Sequence, residues 1–440
     1  MTLYRIQDIE NGRIDPILAA LYSPEELPEQ RKRYRDVAQR FLTRFSEKEF
    51  YLYSSPGRTE LGGNHTDHNN GRVLAGSVRL DIIAAVAPRA DKTVEIETGG
   101  FPEEIRADLS VLEGPSSKEG LTSELVRGIA AYFRDRGYSF GGFSACFESR
   151  VPIGSGLSSS ASVEVLIGKI FSTLYNRDTV PATEIAKAGQ FSENNFFHKP
   201  CGLMDQLACT MGGILFIDFK DPGEPVIERL SFDFRRYGYR LMILDTGDSH
   251  ADLTPEYAAV PTEMGCIARE LGKTVLRDVE KPRILRRIPQ LREKCGDRAV
   301  LRALHFYREN FRVTQMREAL HFRDISSYLR RVEESALSSW TLLQNCIPSG
   351  AVHDQTLALG IAFLKELCPG GYFRVHGGGF AGTIQGYVPE AQFERLRREL
   401  LDQSIAGGDS PWRITPLSIR PEGVIQLGEE SNHEDQPTAA

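Results

Sequence analysis

The sequence predicts an α+β protein with room for two or three domains, and three observations carry that reading. Residues 144–151 alternate as a strand does, a glycine-rich turn follows, and Val163, Leu166, Ile167, Ile170, Phe171 and Leu174 then recur at helical spacing. Further strand-like runs at 50–54, 73–88, 213–219 and 241–245, and a strand, glycine turn, strand pattern at 372–389, are interspersed with helical stretches near 121–136, 181–197 and 263–345. The third observation is length: 440 residues supply ample volume for more than one buried core.

The first 49 residues read as a mostly helical extension. Ser23 and Pro24 predict a helix start, as cap and first turn, and the basic run 31–44 predicts an exposed helix. A strand at 50–54 should end at Pro56-Gly57. Residues 57–71 then hold one arginine, two carboxylates, two histidines and three asparagines among four glycines. Such a stretch fills a core only if every polar group finds a partner, so it is either a solvated loop or a polar site. Metal ligation by His65, Asp67 and His68 lacks a further ligand set with metal spacing. Residues 99–120 are polar and loop-bearing. A change of domain is expected at 222–225, and the polar, acidic residues 427–440 read as a disordered tail.

The loop before the helix at 162–175 reads Pro152-Ile153-Gly154-Ser155-Gly156-Leu157-Ser158-Ser159-Ser160-Ala161. Its glycines let the backbone approach a ligand, and its serines open a helix whose free N–H groups favour an anion, a polyphosphate above all. No Gly-Lys-Ser/Thr follows, so this is not the common P-loop. The residues by themselves leave a plain turn and a phosphate cradle both open.

Net charge is −7, so neither nucleic acid nor an anionic membrane is expected as a partner. The arginine-rich segment 283–302 alternates with Leu285, Ile288, Leu291 and Leu301 and reads as a solvated helix face. The seven scattered cysteines include no Cys-x-x-Cys pair and make an odd total, which favours reduced thiols over disulfides or zinc. With no signal core at residues 1–15 and no run of membrane-spanning length, a cytoplasmic protein is expected.

Three motifs carry a family resemblance. Pro152-x-Gly154-x-Gly156-Leu157-Ser158-Ser159-Ser160-Ala161 resembles the phosphate motif of galactokinase, homoserine kinase, mevalonate kinase and phosphomevalonate kinase. Residues 57–71 resemble the galactokinase signature Gly-Arg-x-Asn-Leu-Ile-Gly-Glu-His-Thr-Asp-Tyr-Asn-x-Gly. They keep Gly57, Arg58, Leu61, Gly63, His65, Thr66, Asp67, Asn69 and Gly71, and depart with Glu60 for Asn, Gly62 for Ile, Asn64 for Glu and His68 for Tyr. Residues 376–382 are similar to Thr-Gly-Gly-Gly-Phe-Gly-Gly, with His376 for Thr and Ala381 for Gly. Cys201-Gly202-Leu203-Met204-Asp205-Gln206 resembles the family's Cys-Gly-x-Met-Asp-Gln segment. Over about residues 50–425 the chain is thereby identified as similar to galactokinases.

The resemblance implies two α+β domains, 50–222 and 223–426, with the active site between them. It implies ATP-dependent phosphorylation of a galactose-type sugar at the anomeric C1 hydroxyl. The nucleotide phosphates would lie over Gly154, Ser155, Gly156, Leu157, Ser158, Ser159 and Ser160, with Mg²⁺ held by Ser160 and Glu193. Asp205 is similar to the catalytic aspartate and Arg58 to its partner, while Asn64, His65, Asp67, Gly202 and Tyr257 would contact the sugar. Spacing by itself would make Glu193 a solvated helix face and Asp205 a helix cap. Val260-Pro261 replace the usual arginine pair after Tyr257. Asn64, where galactokinases place a glutamate on the C6 hydroxyl, leaves a C6-altered sugar such as galacturonate or L-arabinose as an alternative substrate. A non-catalytic sugar and ATP sensor is a third reading; such sensors have a damaged serine loop, which is complete here. No obligate protein partner is implied.

Overall fold

The computed structural model describes residues 1–99, 104–114, 121–152, 154–199, 201–247, 253–402 and 412–428. The chain opens with helices α1 (Ile6–Glu10), α2 (Asp15–Leu21) and α3 (Leu27–Phe45). Strands β1 (Tyr51–Gly62), β2 (Arg72–Pro88), β3 (Thr93–Thr98) and β4 (Ile105–Asp108) follow, then α4 (Thr122–Asp135) and β5 (Phe143–Ser149). Next come α5 (Ser159–Asn176), α6 (Ala182–Asn195), α7 (Met204–Met211), β6 (Ile214–Asp218), β7 (Val226–Leu230) and β8 (Tyr239–Asp245). A helical stretch holds α8 (Thr254–Glu270), α9 (Lys281–Leu285), α10 (Ile288–Cys295), α11 (Asp297–His321), α12 (Ile325–Ser338) and α13 (Thr356–Leu367). Strands β9 (Tyr372–Val375) and β10 (Thr383–Pro389), helix α14 (Glu390–Asp402) and strands β11 (Arg413–Leu417) and β12 (Ile425–Gln426) complete it.

Two sheets result. The larger runs β12-β1-β2-β5-β3-β4, with β6 on β2 and β7 on β6; the smaller, antiparallel throughout, runs β11-β8-β10-β9. Strand β2 is long enough to serve two neighbours on one edge, pairing β6 through residues 72–76 and β5 through residues 82–88. One face of the larger sheet carries the main core, where Val165, Leu166, Ile170 and Phe171 of α5 meet Ile129, Phe133, Ala84 and Val86. The other face is covered by the extension at the start of the chain.

That cover corrects two expectations. Helix α3 begins at Leu27 with Pro28 in its first turn, because Ser23 instead donates from its N–H (2.9 Å) and Oγ (2.7 Å) to Glu26, closing a turn over 24–26. Nor is α3 an exposed helix. Tyr34, Val37, Ala38 and Phe41 pack on Leu52, Ile83 and Ala85, and Arg33 is buried with them. Arg33 pairs with Asp81 at 2.6 Å, and Arg420 reaches the same carboxylate at 3.2 Å, with Tyr22 and Ser54 hydroxyls donating to it. Burial tends to raise the Asp81 carboxyl, but the two guanidiniums outweigh it and hold it below the usual range.

Further corrections follow along the chain. Strand β1 does not stop at Pro56-Gly57 but continues to Gly62, with a register shift between Pro56 and Arg58 that accommodates a residue lacking an N–H. Strand β7 still pairs in the larger sheet, so the passage to the smaller sheet lies at 231–238 and not at 222–225. Cys266 and Cys295 form a disulfide, since α8 and α10 lie side by side and bring the Cα atoms to 6.0 Å. Within the arginine-rich segment, Arg302 is fully buried, donating to Leu343 O and pairing with Glu263 at 3.0 Å. The expected acidic tail lies outside the described residues from 429 on, whereas Leu427 is buried.

Candidate active site

The glycine-rich loop follows β5 and leads into α5, whose first residue is Ser159 after a left-handed Ser158 (φ 56°). The first-turn N–H groups of α5 have no intrahelical acceptor, the arrangement that favours an anion at a helix start. Gly156 has φ +69°, and a Cβ there would lie 2.8 Å from His376 Nδ1, so both conformation and space require glycine. Strand β1 runs directly beneath: Arg58 N donates to Leu157 O at 3.0 Å, and Arg58 Nη1 donates to Gly156 O.

This contact aims the Arg58 side chain at α7. Its Nε and Nη2 meet the two carboxylate oxygens of Asp205 at 2.7 Å each, a bidentate pair, and Ser158 Oγ donates to Asp205 Oδ2 at 2.5 Å. The Arg58 side chain is 7% exposed and that of Asp205 29%, so the carboxylate is the member open to a substrate. Burial pushes the Asp205 carboxyl up, but the Arg58 charge, its hydrogen bonds and that of Ser158 win, and the group sits below the ordinary aspartate range.

Beside this pair lies a second acidic cluster. Ser160 Oγ is 3.4 Å from Glu193 Oε1, on which Lys199 Nζ also sits at 3.0 Å. Gln206 Nε2 donates to Glu164 Oε2 at 2.9 Å and to Glu193 Oε2 at 3.3 Å. Both glutamates are buried, and Glu164 Oε1 has no hydrogen-bond partner among the described residues. Burial and the neighbouring Glu193 charge push the Glu164 carboxyl well above the usual range. No group of three or more His, Cys, Asp or Glu side chains with metal-holding geometry occurs among the described residues. A hydroxyl and a carboxylate oxygen, beside the orphaned oxygen of Glu164, do fit a hard divalent cation that keeps waters and phosphate oxygens as its other ligands.

The signature residues 63–70 form the opposite wall. Asp67 touches the turn before α7: a Cβ on Gly202 would collide with its carboxylate, so glycine is what allows the approach. His65, with φ 58°, places Nε2 2.8 Å from Gly378 O; a carbonyl only accepts, so Nε2 carries the proton. Burial pushes the His65 imidazole down to about 4 and keeps it neutral. Tyr257 donates its hydroxyl to Gly379 O at 2.8 Å and meets the Phe380 ring edge-on, with centroids 5.5 Å apart. The third motif thus closes over the signature loop.

Asn64 is fully buried, and protein atoms take up its whole hydrogen-bonding capacity. Its Nδ2 donates to the Glu60 carboxylate (3.2 Å to each oxygen) and to Gly377 O (2.6 Å). Its Oδ1 accepts from Asn345 (2.8 Å) and from Ser339 (3.4 Å). Glu60 in turn pairs with the buried Arg374. Asn64 therefore has protein partners in place of an open face toward the cleft.

The sequence reading assigned no role to Gln206, Glu164, Lys199 or His376. Gln206 belongs to the Cys201–Gln206 motif, and His376 departs from the family pattern. The departure has a structural sense. His376 is buried and held neutral, chiefly by desolvation, and it joins a one-way chain of hydrogen bonds. Gln385 donates to Thr59 Oγ1 (2.7 Å), Thr59 to His376 Nε2 (3.0 Å), His376 Nδ1 to Thr383 Oγ1 (3.1 Å), and Thr383 to Ser155 O (3.1 Å). The chain ends on the glycine-rich loop.

Comparison with known proteins bears on the family and the fold. Residues 124–213 match the family model for the N-terminal domain of GHMP kinases, and residues 39–88 match the galactokinase galactose-binding signature. The chain is 31% identical over 361 residues to a galactokinase of Actinobacillus pleuropneumoniae, covering 79% of this chain and 88% of that protein. Its fold is similar to that of Lactococcus lactis galactokinase complexed with galactose, with a TM-score of 0.75 at 22% identity over 88% of this chain and 98% of the other. It is also similar to mevalonate kinase of Methanococcus jannaschii, with a TM-score of 0.59 at 16% identity over 84% and 98%.

Proposed function

This chain belongs to the galactokinase family of the GHMP kinases and is a sugar kinase using ATP, and from that premise we propose that it phosphorylates galactose at the anomeric C1 hydroxyl. The observation that carries the reading is the bidentate Arg58–Asp205 pair, half open to the cleft and tied to the phosphate loop through Ser158 and Gly156.

Phosphoryl transfer asks for positioning and charge neutralisation more than covalent help. The phosphates would rest on the N–H groups at residues 154–160, over the start of α5. A carboxyl held low by Arg58 is a weak base, so its first task is to orient the sugar hydroxyl. As the oxygen–phosphorus bond forms, the hydroxyl becomes acidic and its proton passes to Asp205. The bond between the γ-phosphorus and the ADP oxygen breaks, and ADP leaves. Arg58, fixed by its own hydrogen bonds, neutralises charge that builds on the transferred group. Ser160 and Glu193 would hold Mg²⁺, which when bound neutralises charge on the nucleotide phosphates. Gln206 keeps the Glu193 carboxylate turned toward Ser160.

Asp67, His65, Gly202 and Tyr257 would line the sugar side, with Asp67 taking a pair of vicinal hydroxyls. Asn64 favours a second reading, because a carboxamide with four protein partners supplies no free donor or charge to C6. A C6-altered relative of galactose, such as L-arabinose or galacturonate, is then the alternative substrate. The sensor reading has no comparable support, since the serine loop and the Arg58–Asp205 pair are intact. ADP release measured over D-galactose, L-arabinose and D-galacturonate, with the phosphate position fixed by the anomeric proton–phosphorus coupling, tests the set. Galactose 1-phosphate as the dominant product supports the first reading; turnover with no sugar overturns both.

A further inference from the structure

Away from the Asp205 cleft, and sharing none of its residues, a cavity of about 650 Å³ opens where the chain passes from the larger sheet to the smaller. Five arginines line it, Arg79, Arg229, Arg235, Arg236 and Arg323, against one carboxylate, Asp233. In a chain of net charge −7 this is an outlying concentration of positive charge. Some of it is spoken for: Arg235 pairs with Glu390 at 3.1 Å, Arg236 with Asp233 at 3.5 Å, and Arg229 donates to Met211 O. The exposed Glu25 lies within the field of Arg235 and Arg79. Among the described residues, however, no carboxylate makes an ion pair with Arg79 or Arg323, and Arg79 Nε is buried with no acceptor. A buried guanidinium nitrogen without a partner is costly, and it leaves the Arg79 charge uncompensated beside the cavity.

The floor is of different chemistry. Buried Phe232, Phe234 and Leu417 form it, and Tyr237 stacks on Phe232 with centroids 4.6 Å apart and planes 12° from parallel. An inorganic anion would use the arginines and waste this surface. The volume falls in the range of small-molecule sites, and guanidinium forks match phosphate oxygens in geometry as well as charge. An aromatic pair offers a flat face to a base.

We propose that this cavity is a second ligand site that takes a nucleoside polyphosphate, its phosphates on Arg79 and Arg323 and its base against the Phe232–Tyr237 stack. Such an occupant touches β2, β8, β11 and the 231–237 connection together, and so ties the two sheets.

Equilibrium dialysis of the full chain with ADP at physiological salt tests this, because screening at that ionic strength removes diffuse attraction to surface charge. The expected result is one more ADP bound per chain in the wild type than in Arg79→Gln/Arg323→Gln. Hydrogen exchange at 229–237 should slow on ADP addition in the wild type only. Arg323 is exposed, so Arg323→Glu preserves the fold if the double variant does not, and it should weaken the second ADP at least tenfold, about 1.4 kcal/mol. Equal stoichiometry in wild type and variants, or no protection at 229–237, overturns the proposal. The readout is a difference between proteins, so it stands apart from whatever ADP does at the Asp205 cleft.

Discussion

Removing the Arg58 guanidinium while keeping most of its stem, as in Arg58→Gln, should change the acid side of the pH–rate profile as well as the rate. In the wild type the Asp205 carboxyl lies below its ordinary value of about 3.9, because Arg58 and Ser158 outweigh burial. Its depressed state adds stability that is present above the unfolded value and is lost as pH falls through the folded one. Between pH 5 and 8 the group therefore stays ionised and contributes a flat profile. Without Arg58, burial acts on a carboxylate left with the Ser158 hydrogen bond, and the folded value rises. The magnitude follows from the contacts. Breaking a buried pair costs about 3–5 kcal/mol, but a carboxylate 29% exposed recovers part of that from water, which leaves about 2–3 kcal/mol. If that appears as lost transition-state stabilisation, kcat/KM at pH 7 falls about 30- to 150-fold. The acid limb should move up toward neutral pH, into a range where the enzyme is still folded. The assay is ADP release at subsaturating sugar from pH 4.5 to 8, with near-ultraviolet circular dichroism to follow folding. A variant profile that superimposes on the wild type after scaling would refute the coupling of Arg58 to Asp205.

Asp205→Ala should lose nearly all turnover yet still bind ADP; surviving wild-type turnover would remove it from the chemistry. Glu193→Gln should raise the Mg²⁺ concentration for half activity at least several-fold, read from a metal titration at saturating ATP. Asn64→Glu would set a second carboxylate against buried Glu60, and a loss of about 2–4 kcal/mol in urea unfolding is expected. If that variant is instead as stable as the wild type and gains preference for galactose over L-arabinose, Asn64 reads C6 directly. Asp81→Ala leaves Arg33 and Arg420 buried beside a missing anion and should cost about 3–5 kcal/mol, the largest loss of the series.

The site was legible where chemistry forces particular residue types next to one another. The serine run does open a helix, and the structure brings Arg58 of the signature and Asp205 into contact across 147 positions of sequence. What stayed hidden depends on neighbours distant in sequence. Helix α3 looks basic and exposed because its arginines are counted as charges; Arg33 is buried only because β2 supplies Asp81. Pro56 reads as a strand end because propensity does not see the bulge that accommodates it. Cys266 and Cys295 carry no spacing signal, since α8 and α10 meet only through tertiary packing. The departures Glu60 and Asn64 looked independent, and only their mutual hydrogen bond makes them one feature.

The two-residue strand β12 has a consequence for how the protein is made. It pairs with β1 at Tyr53–Gln426 and Ser54–Ile425, while Arg420 reaches Asp81 and Val424 N donates to Cys209 O at 2.9 Å. The first residues of the strand that holds Arg58 are thus an open edge until residues 420–427 have left the ribosome. Vectorial synthesis produces β1 first and its last neighbour several hundred residues later, with the whole smaller sheet in between. A fragment ending near residue 238 would carry every strand of the larger sheet except this one, and a bare edge is a template for pairing with another chain. The larger sheet should accordingly be insoluble when expressed by that cut and rescued by a short peptide spanning 417–428. The half of the molecule with the phosphate loop then matures last, although it is translated first.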